Sequence, residues 1–411
     1  MKVLLVVPNF YPEIGSASHL FFDLAKGFIK NGDSVEVLTS QPRKYNLKKE
    51  RKEKRYPSFE EYNGIRIYRT YNIISDSIIV RGLEHFILPL IFIFNSYKLK
   101  SIDLVIIYSP PLPLFIFGRI FKKFNKSPFI LNVQDLYPKT LTDVGILKSG
   151  FILKIFRWLE KKAYELSDFV TAHSEGNLKY IRKNGAYKRK SDIVYNWTDT
   201  DIVKPDIKKN DFRKKYNLSN EFIVSYAGIM NFHQDLLSII ESADILSKNK
   251  KIKFVFVGEG KQKNDLIKFK NQKGLNNVQF HPFIEKTEYV ELLQASDVSI
   301  VTLSKDVKTK VVPGKLINIM SSSTPVLANV PKTSDAYNIV KESNCGYFLE
   351  PGNPKLLAKK IKDFYTLDKK TLKKMGNNGR EYVIKNFSVE KAILRFKDIY
   401  RKICESEKNE R

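Results

Sequence analysis

The sequence is poor in cysteine and has no long apolar run. Only two of its 411 residues are cysteine, Cys345 and Cys404, which excludes a disulfide framework and a cysteine-rich metal site and fits a reducing compartment. Prolines and Asp103 interrupt the most apolar region, residues 86–121. No uninterrupted stretch approaches the ~20 residues that span a bilayer, so we expect a soluble or peripherally bound protein.

Acidic side chains are scarce relative to basic ones. The chain has 71 lysines and arginines against 44 aspartates and glutamates, a formal net charge of +27. Such a surface attracts nucleic acid, nucleotide phosphates or an anionic membrane. The alternative is a lysine-rich composition with solvated faces. Residues 42–56 are a charge run that we interpret as an exposed loop without chemistry.

Apolar strands and amphipathic helices alternate along the chain, and this alternation predicts parallel sheets with helices on both faces. The pattern restarts near residue 222, which predicts two domains. The predicted strands are residues 2–8, 34–39, 104–108, 129–133, 169–172 and 192–195, then 222–227, 253–257, 278–280, 298–301 and 325–328. The predicted helices include residues 17–31, 234–248, 260–272, 287–295 and 314–321.

The fold class is therefore α/β, with two Rossmann-like doubly wound domains facing across a cleft. We assign residues 1–200 to an N-terminal domain and 201–388 to a C-terminal domain, joined by a polar linker at 198–208. The amphipathic segment 389–411 is predicted to be a helix that packs back on the N-terminal domain.

The stretch 301–326 contains the strongest functional signal. An apolar strand ends, a polar loop follows, and Pro313-Gly314-Lys315 begins a short helix. The first turn of a helix has free backbone N–H groups and partial positive charge, which favour phosphate. Lys315 adds a full positive charge, so we predict a site for a nucleotide diphosphate.

Three other loops follow predicted strands and contain glycine. They are Gly15-Ser16, Gly228 in Tyr226-Ala227-Gly228, and Gly258 with Gly260 in Val257-Gly258-Glu259-Gly260. Each is placed to receive a phosphate or sugar, but tight turns between strand and helix also need glycine. None is the G-x-G-x-x-G sequence of a dehydrogenase.

Polar residues at two strand ends are further candidates. Asp135 follows a buried strand, where its carboxylate can bond or deprotonate a hydroxyl, or alternatively cap a helix. His233 and Gln234 begin the helix after Gly228, although a lone histidine there is more often structural. Aromatic and cationic side chains mix in residues 82–124 and 150–164, which suits either a core or a lipid interface.

The order of these segments resembles the family 4 glycosyltransferases, which have the two-domain GT-B fold. The resemblance covers nearly the whole chain and is closest to enzymes that build surface polysaccharides. It rests on the segments Pro12–Ser16, Gln134–Pro138, Ser167–Val170, Asn196–Asp199, Tyr226–Gly228, Val257–Gly260, Val312–Leu316 and Thr324–Val326.

The resemblance implies a retaining transferase that needs no metal and no cofactor, and whose C-terminal domain holds a nucleotide sugar. Gly314, Lys315 and Leu316 would contact the diphosphate, and Phe283 or Ile284 would lie beside the base. Gly15 and Ser16 would close over the donor, and Asp135 would face the acceptor or donor sugar. Asn318 and Lys310 stand where the family often has glutamates, and Gln134 where it often has histidine.

We therefore predict a glycosyltransferase whose donor is a UDP-sugar or another nucleotide sugar, and whose acceptor is a polyprenyl-linked or other saccharide. We expect it on the inner face of the cell membrane, bound to an anionic surface. The alternatives are a nucleotide-sugar epimerase of the same fold, a basic nucleic-acid-binding protein and a lipid-docking protein without catalysis. No nucleic-acid recognition motif is present, so we expect no nucleic-acid partner.

Overall fold

The structure is a computed structural model. It describes residues 1–13, 15–42, 56–71, 78–143, 145, 147, 150–205, 210–307 and 312–409, with only the backbone described at 78, 79 and 81. The chain divides into two compact units. Unit 1 comprises Met1–Trp197 and Val389–Arg411, and unit 2 comprises Thr198–Ser388.

Strands and helices alternate through both units. The strands are β1 (Lys2–Val6), β2 (Ser34–Ser40), β3 (Phe59–Tyr62), β4 (Ile65–Thr70), β5 (Leu104–Ser109), β6 (Phe129–Val133), β7 (Phe169–Ala172), β8 (Ser191–Ile193), β9 (Phe222–Ala227), β10 (Ile252–Val257), β11 (Val278–His281), β12 (Val298–Thr302), β13 (Val326–Asn329) and β14 (Gly346–Leu349). The helices are α1 (Ser16–Lys30), α2 (Ile78–Asn95), α3 (Phe115–Asn125), α4 (Lys139–Asp143), α5 (Phe151–Leu166), α6 (Glu175–Lys183), α7 (Phe212–Lys215), α8 (Leu236–Ile245), α9 (Lys263–Lys273), α10 (Lys286–Ala295), α11 (Gly314–Ser321), α12 (Asp335–Ser343), α13 (Pro354–Thr366), α14 (Lys369–Asn386) and α15 (Val389–Asn409).

The described part of unit 1 is built on a sheet of order β3-β4-β2-β1-β5-β6-β7-β8. Its pairs are parallel except the edge pair β3–β4. The central strands are almost fully buried because helices cover both faces of a parallel sheet, which explains their nearly continuous apolar sequences. The hairpin β3–β4 was not predicted: β3, Phe-Glu-Glu-Tyr, is a mostly exposed edge strand with little apolar signal.

Two apolar layers sandwich this sheet. Side chains from α2, α3, α5 and α6 form one layer, and side chains from α1 and α15 form the other. Helices α1 and α15 approach closely, since a Cβ built on Gly27 would lie 2.7 Å from the Ile393 Cδ1 atom. The Trp197 indole packs edge-on against Phe396 at 5.8 Å and donates a hydrogen bond to the Leu20 carbonyl at 2.8 Å. The C-terminal helix is thus part of the unit 1 core.

Unit 2 has a fully parallel sheet of order β11-β10-β9-β12-β13-β14 within the described residues. The chain winds outward from β9 to β11, then returns to the other side of β9 at β12. This doubly wound order confirms the predicted fold class and puts a topological switch point between β9 and β12. Strand β14 was not predicted, because its four residues are only partly buried.

We predict that Phe396→Ala lowers the free energy of unfolding of unit 1 by about 3–5 kcal/mol, the usual cost of emptying a large buried aromatic site. Phe396 is fully buried, whereas its neighbour Leu394 on α15 is half exposed. Leu394→Ala is therefore the matched control and should change stability by less than about 0.5 kcal/mol. Denaturant titration followed by tryptophan fluorescence measures both, and equal effects would contradict the packing of α15.

Candidate functional site

The switch point of unit 2 brings two segments to the carboxyl ends of adjacent strands. One is the loop that follows β9 at Gly228, and the other is the segment that follows β12 and leads into α11. Ligands of doubly wound sheets bind where strand order reverses, because the loops diverge there and leave a crevice. The predicted phosphate site and the Gly228 loop therefore belong to one place in the fold.

The N-terminus of α11 has no capping side chain. Pro313 occupies the cap position with extended backbone angles and makes no side-chain capping hydrogen bond. Nothing lies within 4 Å of a Cβ built on Gly314. This eight-residue helix therefore presents N–H groups and the positive end of its dipole to open space, as an anion site requires.

Lys315 adds a half-buried cation to the same site. Its Nζ atom donates to the Tyr226 hydroxyl at 3.0 Å and lies 4.2 Å from the centre of the Tyr226 ring. It forms no ion pair with a carboxylate in the described part of the chain. Burial lowers the pKa of the ammonium to about 7, because a charge without a counter-charge is costly away from water.

Gly228 makes room for this lysine. Its φ of +146° is rare for other residues, and a Cβ there would lie 2.8 Å from the Lys315 Nζ atom. Gly258 and Gly260 have a different reason to be glycine. Their Cβ atoms would lie 2.0 Å from the Gly228 carbonyl oxygen and 2.3 Å from the Met230 carbonyl oxygen. They allow the loop after β10 to pack against the loop after β9. Their predicted contact with the sugar donor stays a prediction.

The other predicted donor residues of unit 2 are placed as follows. The Leu316 side chain is fully buried and its N–H donates to the Pro313 carbonyl at 2.9 Å. The Asn318 amide oxygen accepts a bond of 2.8 Å from Thr198, so this side chain also anchors the first residue of unit 2. Lys310 lies outside the described residues.

His233 and Gln234 lie in the turn before α8. His233 is exposed, and its carbonyl accepts a bond from the Ser304 N–H at 2.8 Å, which ties this turn to the segment after β12. The Gln234 side chain accepts from the Asn231 N–H at 3.2 Å. Phe283 and Ile284 are half-buried and follow β11 at the edge of the sheet. Their roles stay predictions.

In unit 1, Asp135 follows β6 near the centre of the sheet. Its carboxyl group is accessible to solvent, yet burial by surrounding protein raises its pKa, and the nearby charge of His173 acts in the opposite direction. The His173 Nε2 atom lies 2.9 Å from the Gln134 carbonyl oxygen, and the Gln134 N–H donates to Ser109 at 2.8 Å. The ends of β5, β6 and β7 thus hold Asp135 in place.

His173 was missed by sequence reasoning. The only signal was that His173 directly follows the predicted strand 169–172, as Gln134 and then Asp135 follow the predicted strand 129–133. Because parallel strands end at the same edge of a sheet, the residue after each predicted strand is a candidate neighbour of the others.

Gly15 and Ser16 begin α1, which has no capping side chain and no acidic residue in its first turn. Gly15 has extended backbone, and nothing lies within 4 Å of a Cβ built on it, so the fold itself does not demand glycine there. The preceding loop is fixed by Arg69, whose Nη2 donates to the Tyr11 carbonyl at 2.8 Å. This helix start is open, as a ligand-binding loop requires.

The described residues contain no group of three or more histidine, cysteine, aspartate or glutamate side chains arranged to hold a metal ion. They also contain no helix that is both long and apolar enough to cross a membrane.

Two doubly wound units, one with a cationic phosphate-type site at its switch point, define the GT-B class of glycosyltransferases. Sucrose-phosphate synthase from Thermosynechococcus elongatus matches the fold with a TM-score of 0.76 at 18% identity, over 98% of this chain and 99% of that one. Anabaena Alr3699/HepE, solved in complex with UDP and glucose, matches with a TM-score of 0.69 at 17% identity, over 99% of both chains.

Sequence comparison identifies the family. Residues 17–202 match the model described as Glycosyltransferase Family 4, and residues 208–382 match the model described as Glycosyl transferases group 1. WcaI of Escherichia coli K12, a glycosyl transferase assigned to colanic acid biosynthesis, is 23% identical over 96% of this chain and 98% of its own length. The chain belongs to the family 4 glycosyltransferases, and it is an enzyme of that class.

A second relative is the Escherichia coli UDP-Gal:alpha-D-GlcNAc-diphosphoundecaprenol alpha-1,3-galactosyltransferase. It is 22% identical over 76% of this chain and 78% of its own length.

We predict that nucleotide binding takes up a proton at Lys315. The free lysine has a pKa of about 7, and a bound diphosphate raises it by supplying the missing counter-charge. Affinity for UDP should be nearly constant below pH 7 and should fall as pH rises above it, by up to ~10-fold per unit. Calorimetry at pH 8 in buffers of different ionisation enthalpy measures the proton uptake.

Lys315→Met keeps the apolar stem of the side chain and removes the charge. It should bind UDP weakly, with neither proton uptake nor a pH slope between 7 and 9. Uptake that persists in this variant would assign the proton to another group.

Proposed function

We propose that the enzyme transfers a hexose from a UDP-sugar, with retention of anomeric configuration, to a hydroxyl of a lipid-linked saccharide during polysaccharide synthesis. The Lys315 ammonium at the uncapped start of α11 carries the proposal. It pairs with no carboxylate in the described ranges, and it is a preorganised positive site for a departing diphosphate. The names of the relatives support UDP as carrier and a diphosphate-linked lipid as acceptor.

Sugar transfer from a nucleotide diphosphate develops negative charge on the leaving oxygen as the glycosidic bond breaks. We expect the Lys315 ammonium and the N–H groups of α11 to stabilise that charge, which is the contribution that a divalent metal makes in other enzymes. We therefore expect no requirement for a metal.

Asp135 is proposed to act on the sugar or on the acceptor hydroxyl. Its accessible carboxylate is held at the end of β6, and its raised pKa makes it a stronger base than an ordinary aspartate. A lipid-linked acceptor would place the reaction at the inner surface of the cell membrane.

A donor panel tests the proposal. The protein is incubated with UDP-, GDP- and dTDP-sugars and lipid-diphosphate-linked acceptors, in the presence of EDTA, and nucleotide release and glycosylated lipid are measured. We expect acceptor-dependent release of UDP. Absence of turnover together with no thermal shift from any nucleotide would refute the proposal, and an epimerised sugar formed without acceptor would identify an epimerase instead.

Lys315→Ala should lower turnover by about 10²-fold or more, the scale for losing one donor to a developing oxyanion. Lys341→Ala, at an exposed lysine of α12, is the control and should leave turnover unchanged. If the Lys315→Ala enzyme had the same turnover number as the parent, the proposed role of Lys315 in the mechanism would be wrong.

Asp135→Asn should lower transfer by about 10²-fold while leaving UDP affinity within about twofold, if it acts on the sugar or acceptor. The acid limb of the rate profile, set by the raised Asp135 pKa, should disappear in this variant. Asp143→Asn is the control, because Asp143 lies on α4 and pairs with Lys139 of the same helix at 2.6 Å. Lost UDP affinity would instead indicate a role on the nucleotide side.

A further inference from the structure

Helix α2 is apolar on two opposite sides. Leu88 and Phe92 face the core of unit 1 and are almost fully buried. On the opposite side Leu83, Ile87, Leu90 and Phe94 recur at helical spacing and are 42–79% exposed. An amphipathic surface helix turns polar residues outward, and a helix that is apolar all round is normally covered. No described part of the chain therefore covers the outer side of α2.

The exposed apolar surface extends beyond α2. The Phe86 and Phe156 rings meet at 6.1 Å and join α2 to α5. We call the outer sides of α2, α3 and α5, with Tyr97 in the turn after α2, the α2–α5 face. It holds twelve of the 23 large apolar side chains that are exposed in the described part of the chain, so it is a patch. Its most exposed members beyond α2 are Tyr97, Phe124, Phe151, Ile152 and Trp158.

Cations border this face on both sides. On α5, the exposed side chains of Lys154, Arg157 and Lys161 form a stripe beside the apolar one. Arg157 and Lys161 also line a pocket of about 470 Å³ with Arg182 and Lys183. The one carboxylate in the lining of this pocket, Glu165, forms an ion pair with Lys162 at 2.9 Å. Near the ends of α2 and α3 the exposed cations are Lys98, Lys100, Lys123 and Lys126.

We propose that the α2–α5 face docks on an anionic lipid bilayer. Its aromatic and aliphatic side chains enter the boundary between headgroups and acyl chains, and its cations bind lipid phosphates, with the pocket at Arg157 as one headgroup site. Apolar residues beside lysines and arginines are the composition that lies in an interface without crossing it. Each cation near the surface adds attraction to anionic lipid.

Charge favours a bilayer over a second copy of the chain. A symmetric dimer through this face would set the same patch against itself and bring its lysines and arginines together. The chain carries a net charge of +27, which opposes such self-association. An anionic bilayer covers the apolar side chains and neutralises the cations at once.

Flotation with vesicles tests the proposal on the full chain without donor or acceptor, so the result is independent of sugar transfer. We expect strong binding to vesicles of equal parts phosphatidylglycerol and phosphatidylcholine, and at least tenfold weaker binding to phosphatidylcholine alone. Added salt should weaken binding by screening the cations. Equal binding to both vesicles, or none to either, would overturn the proposal.

Variants locate the surface. The double variant Leu90→Asp with Phe94→Asp, and the double variant Arg157→Glu with Lys161→Glu, should each lower vesicle binding at least tenfold. All four side chains are exposed, so folding should persist, which thermal unfolding checks. The matched controls are Leu394→Asp and Lys402→Glu on exposed positions of α15, and they should bind as the parent does.

Two results would contradict the assignment of this face. One is parent-like vesicle binding by both double variants. The other is a stable dimer in sedimentation that Leu90→Asp with Phe94→Asp dissociates, since that would show a second copy as the occupant.

Discussion

A half-buried lysine with no carboxylate counter-charge among the described residues organises the candidate site of unit 2. Lys315 reaches Tyr226 on β9 from the first turn of α11, and this contact links the two strands at the switch point. Gly228 has no side chain, and this leaves space for the ammonium group. Because burial of such a charge opposes folding, the arrangement is better explained by an anion that binds there than by stability.

The helix that carries this lysine could be predicted from sequence, with the bounds that the structure shows. Pro313 stops the preceding extended segment, Gly314 and Lys315 begin the helix, and a serine cluster ends it, all local signals. The contact with Tyr226 joins residues 89 positions apart. It depends on β12 lying beside β9, which is a property of strand order and not of either segment, so the environment of Lys315 became visible only in the structure.

The roles of the glycines at the candidate site also could not be predicted from the sequence. In sequence, Gly258 and Gly314 look alike, since each lies between a strand and a helix. The structure separates them: a Cβ on Gly258 would collide with the Gly228 carbonyl, whereas the space beside Gly314 is open. His173 was missed for a related reason, because its relation to Asp135 arises from two parallel strands that end at one edge. Spacing predicted the strands but not which side chains meet.

The two candidate functional features, the Lys315 site and the α2–α5 face, depart from the usual burial of side chains in opposite ways. Among the described residues, the half-buried Lys315 charge has no carboxylate to pair with, and apolar side chains of the α2–α5 face are exposed. Replacing Lys315 by an apolar residue, or Phe94 by a polar one, would bring each place into line with that usual burial, so stability alone does not account for either. Local conflicts of this kind concentrate where a protein meets its ligands. An anionic diphosphate would relieve the first conflict and an anionic, apolar bilayer the second, and both belong to the sugar transfer to a lipid-linked acceptor that we propose.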